Sequence, residues 1–157
     1  MVDMAVDSER LLDEIGWQLL LALQENARLS FAELGRRVGL SLPAVAERVR
    51  RMEDAGIITG YHARLDPGKI GLPLTAFIRV NCPADRYPRI IESATELPEV
   101  LECHHVSGGD SFVIKVVASS IPHLESLIKK LSPFGRTTTS IVLSSPVTKT
   151  MLHKSTT

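Results

Sequence analysis

The sequence predicts an α+β protein, with helices in its first third and a sheet with helices in the remainder. Two observations predict this class. Up to about residue 60 the apolar residues recur every three or four positions, the spacing of one helix face, whereas from Leu74 they alternate with polar residues, as in half-buried strands. We therefore expect a helical domain over residues 1–60, a strand and linker over 61–73, and a second domain over 74–150.

Composition is that of a globular protein without a membrane span. Of 157 residues, 44% are hydrophobic and 23% charged, as in ordinary folded domains. The best apolar run, LLLAL from Leu19, is too short to cross a bilayer, and the acidic N-terminus lacks the basic start of a signal peptide. We therefore expect a cytoplasmic protein. Two domains this small are marginal alone, which favours oligomerisation.

Two amphipathic helices open the chain. The first spans residues 11–23, where apolar residues recur at helical spacing. The second follows Ser30, a predicted N-cap with Glu33 as its capping-box partner, and stops at Gly39. Gly35 keeps this second helix thin where the third is expected to cross it.

The third helix makes the arrangement specific. It begins at Ser41, carries a proline in its first turn and ends at Gly56. A short helix, a turn at Gly39 and a new helix within about three residues form the helix-turn-helix pattern. We expect a three-helix domain of the winged helix-turn-helix type, followed by the strand and linker of residues 61–73.

The third helix has one apolar and one basic side. Val45, Val49 and Met52 fall together on a helical wheel, opposite small and charged residues. Small residues near the helix N-terminus allow close approach to DNA, and arginines contact phosphates or guanine edges. Nine residues of the second and third helices are candidate DNA contacts: Arg36, Arg37, Ser41, Pro43, Ala44, Glu47, Arg48, Arg50 and Arg51.

The charge distribution supports this interpretation. The net charge is zero, yet residues 28–51 hold six arginines against two glutamates, a local excess of four positive charges. Such a patch attracts a polyanion through its local field. The alternative is a solvated helix face whose arginines pair with Glu47, Glu53 and Asp54.

The second half predicts a ferredoxin-like βαββαβ domain. Strands and helices follow in the order strand, helix, strand, strand, helix, strand, with both helices on one face of an antiparallel sheet. The strands are expected from Leu74, over 101–106 and 112–118, and from Thr137, with a helix before the second strand and another after Ser120. The other face would carry Phe77, Val113, Val117 and Val142, or the opposite set, and a two-fold dimer would cover it.

Two cysteines, Cys82 and Cys103, are predicted to be buried free thiols on strands. The run Cys103-His104-His105 suggests a metal ligand set, but successive strand residues point to opposite faces. Only Cys103 and His105 would share an ion, too few ligands for a closed zinc site. No metal and no cofactor is expected.

With these residues in place, the chain resembles the Lrp/AsnC family, the leucine-responsive or feast/famine transcriptional regulators of bacteria and archaea. The resemblance lies in four ordered blocks: LLDEIGWQLLLALQENARLS, FAELGRRVGLSLPAVAERVRRMEDAGIITGYHARLDP, LECHHVSGGDSFVIKV and TTTSIVL. It implies an N-terminal DNA-binding domain, a C-terminal effector domain, dimers that often assemble into octamers, and amino acids or related molecules as effectors.

The family also implies an effector site between effector domains. Its glycine-containing loop and last-strand threonines correspond here to Gly108, Gly109 and Asp110, then Thr137 and Thr139. Glycines expose backbone N–H groups to a carboxylate, and Asp110 can pair with an ammonium group. The alternative is a hairpin turn that needs the same residues for backbone geometry alone.

Some positions depart from the family pattern. Gly16 stands where an aspartate is common, and should cost its helix up to about 1 kcal/mol relative to alanine. Leu42-Pro43 replaces the more usual Pro-Ser order after Ser41. Neither departure breaks the helix-turn-helix motif.

The sequence thus predicts a sequence-specific DNA-binding transcriptional regulator that responds to an amino acid or related small molecule. We expect it to bind double-stranded DNA as a homodimer or octamer and to associate with the nucleoid. The alternatives are a small-molecule-sensing module and a chromatin-like architectural protein. An enzyme is not expected, because no nucleophile–base pair, phosphate loop or paired carboxylates stand out, and His62, His123 and His153 each stand alone.

Overall fold

The computed structural model describes residues 10–155, which divide into two compact units. The helical unit comprises residues 10–63 together with 148–155, and the sheet unit comprises Arg64–Val147. Each is described separately below. No helix of the described residues is long and apolar enough to cross a membrane.

The helical unit contains α1 (Glu14–Glu25), α2 (Phe31–Val38) and α3 (Leu42–Asp54). The first helix begins three residues later than predicted, because Asp13 caps it. The Asp13 carboxylate accepts the backbone N–H of Gly16 at 2.8 Å. A Cβ at Gly16 would overlap the carbonyl oxygen of Leu11, so the close chain approach, and not helix propensity, is what requires glycine there.

The turn between α2 and α3 follows the prediction. Ser30 and Glu33 form the predicted capping box, and Gly39 ends α2 with a φ of 71° in the left-handed region. A Cβ at Gly35 would lie 2.5 Å from the carbonyl oxygen of Leu40, so this glycine brings the turn close to α2. Ser41 then caps α3.

The three helices share a small apolar core. Its fully or nearly fully buried members come from all three helices: Leu19, Ala22, Leu23, Leu34, Val45 and Val49. Met52 is also fully buried. The predicted apolar side of α3 is therefore the side that faces the core, which leaves the basic side of the helix outward.

The sheet unit contains β1 (Leu74–Asn81), α4 (Tyr87–Glu96), β2 (Val100–His105), β3 (Phe112–Ala118), α5 (Ile121–Leu131) and β4 (Arg136–Ile141). The strand order is β2-β3-β1-β4, and all neighbouring strands are antiparallel. The predicted βαββαβ order is thus confirmed. Ser120 caps α5, as expected.

One face of the sheet packs on the two helices. Ala76, Ile78 and Val80 of β1 are buried in this core, opposite Ile114 and Phe112 of β3 in register. The other face carries Phe77, 37% exposed, and the half-buried Val113 and Val142. Val117 of the same predicted set is buried instead, at 2% exposure.

The prediction for the cysteines is wrong at one of two positions. Cys82, just beyond β1, is buried, but Cys103 on β2 is exposed. The reason is strand order, because β2 is the outermost strand next to β3 and every residue from Leu101 to His105 is exposed. Although Cys103 is exposed, partial desolvation by its neighbours raises the pKa of its thiol.

The last described residues return to the helical unit. The side-chain amide of Gln24 on α1 donates to the carbonyl oxygen of Leu152 at 3.0 Å and accepts the Leu152 N–H at 2.7 Å. Lys154 lies 3.9 Å from Glu14. Residues 148–155 therefore belong to the helical unit.

Candidate functional site

The first turn of α3 forms an exposed surface without charged side chains. Ser41, Leu42 and Pro43 are all exposed, Leu42 at 52%, and Ala44 is half-buried. The Ser41 hydroxyl accepts the N–H of Ala44 at 3.4 Å, which holds the start of the helix. An exposed leucine among small residues suits contact with an apolar group in a groove, such as a thymine methyl.

Two arginines lie at the end of the preceding helix. Arg36 and Arg37 occupy the last turn of α2, and both are exposed. Arg37 forms an ion pair with Glu25 at 3.3 Å, with 49% of its side chain exposed. Surface pairs of this kind contribute little stability and exchange readily for another anion.

Arg50 lies between two carboxylates on the outer side of α3. Its guanidinium donates to Glu47 at 2.9 and 3.2 Å and to Asp54 at 2.6 Å. The hydrogen bond from Arg50 holds the pKa of Glu47 below its usual range. Both pairs are among those expected if this side of α3 were only a solvated surface whose arginines pair with neighbouring carboxylates. The Arg50 side chain is 59% exposed, so it remains accessible to a phosphate.

Arg48 differs from the other candidates because it points towards α1. Its guanidinium donates to the Asp13 carboxylate at 2.6 Å and to the carbonyl oxygen of Arg10 at 3.4 Å. Only 23% of its side chain is exposed. The structure therefore does not present Arg48 on the same surface as Ser41 and Pro43.

The C-terminal end of α3 is tied to the segment that follows it. Arg51 is half-buried, whereas Glu53 is exposed and accepts a hydrogen bond from the Tyr61 hydroxyl at 2.8 Å. Burial, together with Glu53, raises the pKa of Tyr61 to about 12. Tyr61 therefore stays protonated and keeps this bond at any physiological pH.

The predicted effector loop lies between β2 and β3. Val106 N–H donates to Ser111 at 3.0 Å and so closes the hairpin around the loop. Gly108 adopts a φ of 122°, which favours glycine, and a Cβ at Gly108 or Gly109 would meet no atom within 4 Å. The Asn81 side-chain amide donates to the carbonyl oxygen of Gly109. The loop is thus anchored to the end of β1, while Gly108 and Gly109 remain exposed.

The two threonines lie at the same end of the sheet. Thr137 pairs with Val80 and Thr139 with Ile78, so both share the helix-side face of β4 and both are half-buried. Ser111, at the end of the loop, donates its N–H to Val80 from the other side at 2.8 Å. One strand therefore separates the loop from Thr137, a distance of about 10 Å at normal strand spacing.

A groove of about 400 Å³ in the sheet unit was not predicted. It lies between α4 and β2 and is lined by Ile91, Ala94, Thr95, Val100, Leu101, Glu102, Cys103, His105 and Phe112. The His105 ring contacts the rings of Tyr87 and Phe112, with centroids 4.8 and 5.1 Å away. Among residues 10–155 no three His, Cys, Asp or Glu side chains lie close enough to hold a metal ion.

The prediction that His123 stands alone is wrong. Its Nε2 lies 3.0 Å from Glu99, and its Nδ1 accepts the backbone N–H of Ser119 at 3.2 Å. Since Nδ1 is a hydrogen-bond acceptor, the ring proton is on Nε2, and Nε2 donates a hydrogen bond to the Glu99 carboxylate. His123 and Glu99 are far apart in the sequence, as are Arg48 and Asp13. The spacing of residues along the chain therefore did not predict either pair.

Comparison with known proteins identifies both units. The AsnC-type helix-turn-helix model matches residues 12–53, and the Lrp/AsnC ligand-binding-domain model matches residues 75–152. YezC of Bacillus subtilis, an uncharacterised HTH-type transcriptional regulator, is 42% identical over 85% of this chain and 95% of its own.

Solved structures agree in fold. LrpC of Bacillus subtilis superposes with a TM-score of 0.84 at 35% identity, over 88% of this chain and 99% of its own. A transcriptional regulator of Neisseria meningitidis, solved in complex with L-methionine, gives a TM-score of 0.84 at 33% identity, over 90% of this chain and 96% of its own. The chain therefore belongs to the Lrp/AsnC family, whose members are helix-turn-helix transcriptional regulators and not enzymes.

Proposed function

We propose that this regulator binds duplex DNA by inserting the first turn of α3 into the major groove. The observation that carries the proposal is the exposed, uncharged surface of Ser41, Leu42 and Pro43, next to the basic end of α2. Small and apolar side chains approach base edges closely, while arginines on either side hold the phosphates.

The arginines take different parts in this proposal. Arg36 and Arg37 contact phosphates from the end of α2, where both are exposed. Arg50 contacts a phosphate after its pairs with Glu47 and Asp54 open, which its exposure permits. Arg51, half-buried near the end of α3, contributes positive charge close to the phosphate that Arg50 contacts.

We also propose that an amino acid or related molecule is the effector, with the loop Gly108–Asp110 and Thr137 and Thr139 as its site. The open glycine backbone supports this, as does the regulator of Neisseria meningitidis solved with L-methionine. The loop and Thr137 lie about 10 Å apart, further than the ammonium and carboxylate of one amino acid reach. A second copy of the chain would therefore complete the site.

The exposed sheet face supports a dimer. Phe77, 37% exposed, and Val113 lie on the sheet face opposite α4 and α5, and a two-fold partner would remove both from water. Two copies also present two α3 helices to a two-fold operator. We expect dimers, with octamers as a further assembly, and a cytoplasmic protein that associates with the nucleoid.

DNA binding is tested with a fragment from upstream of the protein's own gene. We expect wild-type protein to bind it in fluorescence anisotropy, and Arg36→Ala to bind more weakly. Since each phosphate contact releases about one counterion, the plot of log affinity against log salt has a negative slope. Arg36→Ala should make this slope less steep, by roughly 0.9. Absence of binding to this fragment and to DNA selected from a random pool would refute the proposal.

Effector binding is tested by light scattering and calorimetry with a panel of amino acids that includes L-methionine. We expect at least one of them to bind and to change the assembly state. Asp110→Ala should weaken that binding by removing the partner of the ammonium group, whereas Asp66→Ala, an exposed carboxylate outside the loop, should not. Equal binding by both variants would move the site elsewhere, with the groove beside β2 as the next candidate.

A further inference from the structure

Arg48 and Asp13 form a contact between α3 and the start of α1. Each oxygen of the Asp13 carboxylate has its own donor: the Gly16 N–H at 2.8 Å on one, and the Arg48 guanidinium at 2.6 Å on the other. The first bond caps α1 and the second holds α3. The hydrogen bond from Arg48, followed by that from Gly16, lowers the pKa of Asp13, so the carboxylate stays charged.

The Arg48 side chain is committed to this contact. Its Nη2 also donates to the Arg10 carbonyl at 3.4 Å, and its Nε is buried without a hydrogen-bond partner among the described residues. At 23% exposure it is far less accessible than Arg37 at 49% or Arg50 at 59%. To contact DNA, Arg48 would have to give up a short charge-assisted bond and leave the Asp13 carboxylate without its partner.

A second contact lies one helical turn further along α3. Met52 is fully buried, and its Cε lies 3.1 Å from where a Cβ on Gly16 would be. Arg48 and Met52 are four residues apart and therefore share one side of α3. Two contacts one turn apart fix both the rotation of α3 about its axis and its position along α1, which a single contact cannot do.

We propose that the Asp13–Arg48 pair is a positioning clamp that sets the angle at which α3 meets DNA, and that Arg48 acts through this clamp and not by touching DNA. The proposal rests on DNA binding through α3 as proposed above. It makes Asp13, an acidic residue that would repel a phosphate, a contributor to DNA affinity.

The test compares Asp13→Asn, Arg48→Ala and their double variant, with Arg36→Ala as the matched arginine that is proposed to contact phosphate. Asparagine retains the N-cap, so Asp13→Asn removes the charge without removing the cap. Affinity for a selected operator is measured by anisotropy from low to moderate salt, at a temperature where circular dichroism shows every variant folded.

A clamp predicts that both single variants weaken binding, by roughly tenfold, the factor that about 1.4 kcal/mol represents. The double variant should bind no more weakly than Arg48→Ala, because both changes open the same contact. Neither single variant should change the slope of log affinity against log salt, whereas Arg36→Ala should make this slope less steep by roughly 0.9.

Three outcomes would overturn the clamp. The first is a lower salt slope for Arg48→Ala, which would show a phosphate contact. The second is tighter binding by Asp13→Asn, which would show that the carboxylate only withholds Arg48 from DNA. The third is wild-type affinity in folded Asp13→Asn, which would limit the pair to fold stability. Failure of the wild-type protein to bind any DNA would instead refute the proposed function.

Discussion

The helical unit and the sheet unit present their candidate sites by different means. In the helical unit the site consists of side chains, and two of its arginines are paired with carboxylates: Arg37 with Glu25, and Arg50 with Glu47 and Asp54. In the sheet unit the site consists mainly of backbone, an open glycine loop held by the amide of Asn81. The first should therefore respond to changes in charge, and the second to changes in backbone shape.

The largest expected effect comes from the cores, because the two units have separate ones. Leu34→Ala and Leu127→Ala each remove a fully buried leucine side chain, one per unit, and should each cost about 2–5 kcal/mol. Hydrogen exchange followed by mass spectrometry should show faster exchange only in the unit that carries the substitution. Equal acceleration in both units would show that they unfold as one.

A smaller effect is expected from the glycines of the sheet unit. A Cβ at Gly135 would overlap the carbonyl oxygen of Asn81, so Gly135→Ala should destabilise the protein by about 1–3 kcal/mol in urea unfolding. The matched control is Gly109→Ala, where a Cβ has open space. Equal stability of the two variants would show that β4 shifts at little cost.

The charge-dependent site should respond to Glu47. Glu47→Gln removes a negative charge from the outer side of α3 and releases one partner of Arg50. We expect DNA affinity to rise by about two- to fivefold, within the range of a surface ion pair, and the salt slope to steepen. Asp54→Asn, at the far end of α3, should act in the same direction but less. Weaker binding by Glu47→Gln, with lost preference at one cytosine, would make Glu47 a base contact.

The smallest effect concerns pH in the sheet unit. A hydrogen bond from its own backbone N–H and another from His123 hold the pKa of Glu99 below its usual value of 4.5. A carboxyl with a lowered folded-state pKa stabilises the protein above its usual pKa and loses that contribution as pH falls below it. Thermal unfolding between about pH 6 and pH 3 should therefore drop less steeply for Glu99→Gln than for wild type. Parallel curves would contradict this role.

Most of the fold follows from the sequence because it depends on spacing and capping. Ser30 with Glu33, Ser41 and Ser120 cap helices as predicted, and the alternation along β1 places Ala76, Ile78 and Val80 in the core. These are local rules, and the residues that obey them lie within a few positions of one another.

What the sequence did not predict depends on partners that lie far apart in the chain. A helical wheel gives the direction of the Arg48 Cβ, not the direction of a guanidinium at the end of a long side chain. Its partner Asp13 lies 35 residues earlier. The exposure of Cys103 likewise depends on β2 being an outermost strand, which alternation along β2 does not reveal.

The hydrogen bonds between Gln24 and Leu152 bear on the order of assembly during synthesis. Residues 10–63 leave the ribosome before residues 148–155, so these hydrogen bonds form only after the whole sheet unit has been synthesised. The sheet unit is in effect inserted within the helical one, and both of its ends lead back to it. A chain truncated before residue 148 would therefore lack the hydrogen bonds between Leu152 and Gln24 of α1.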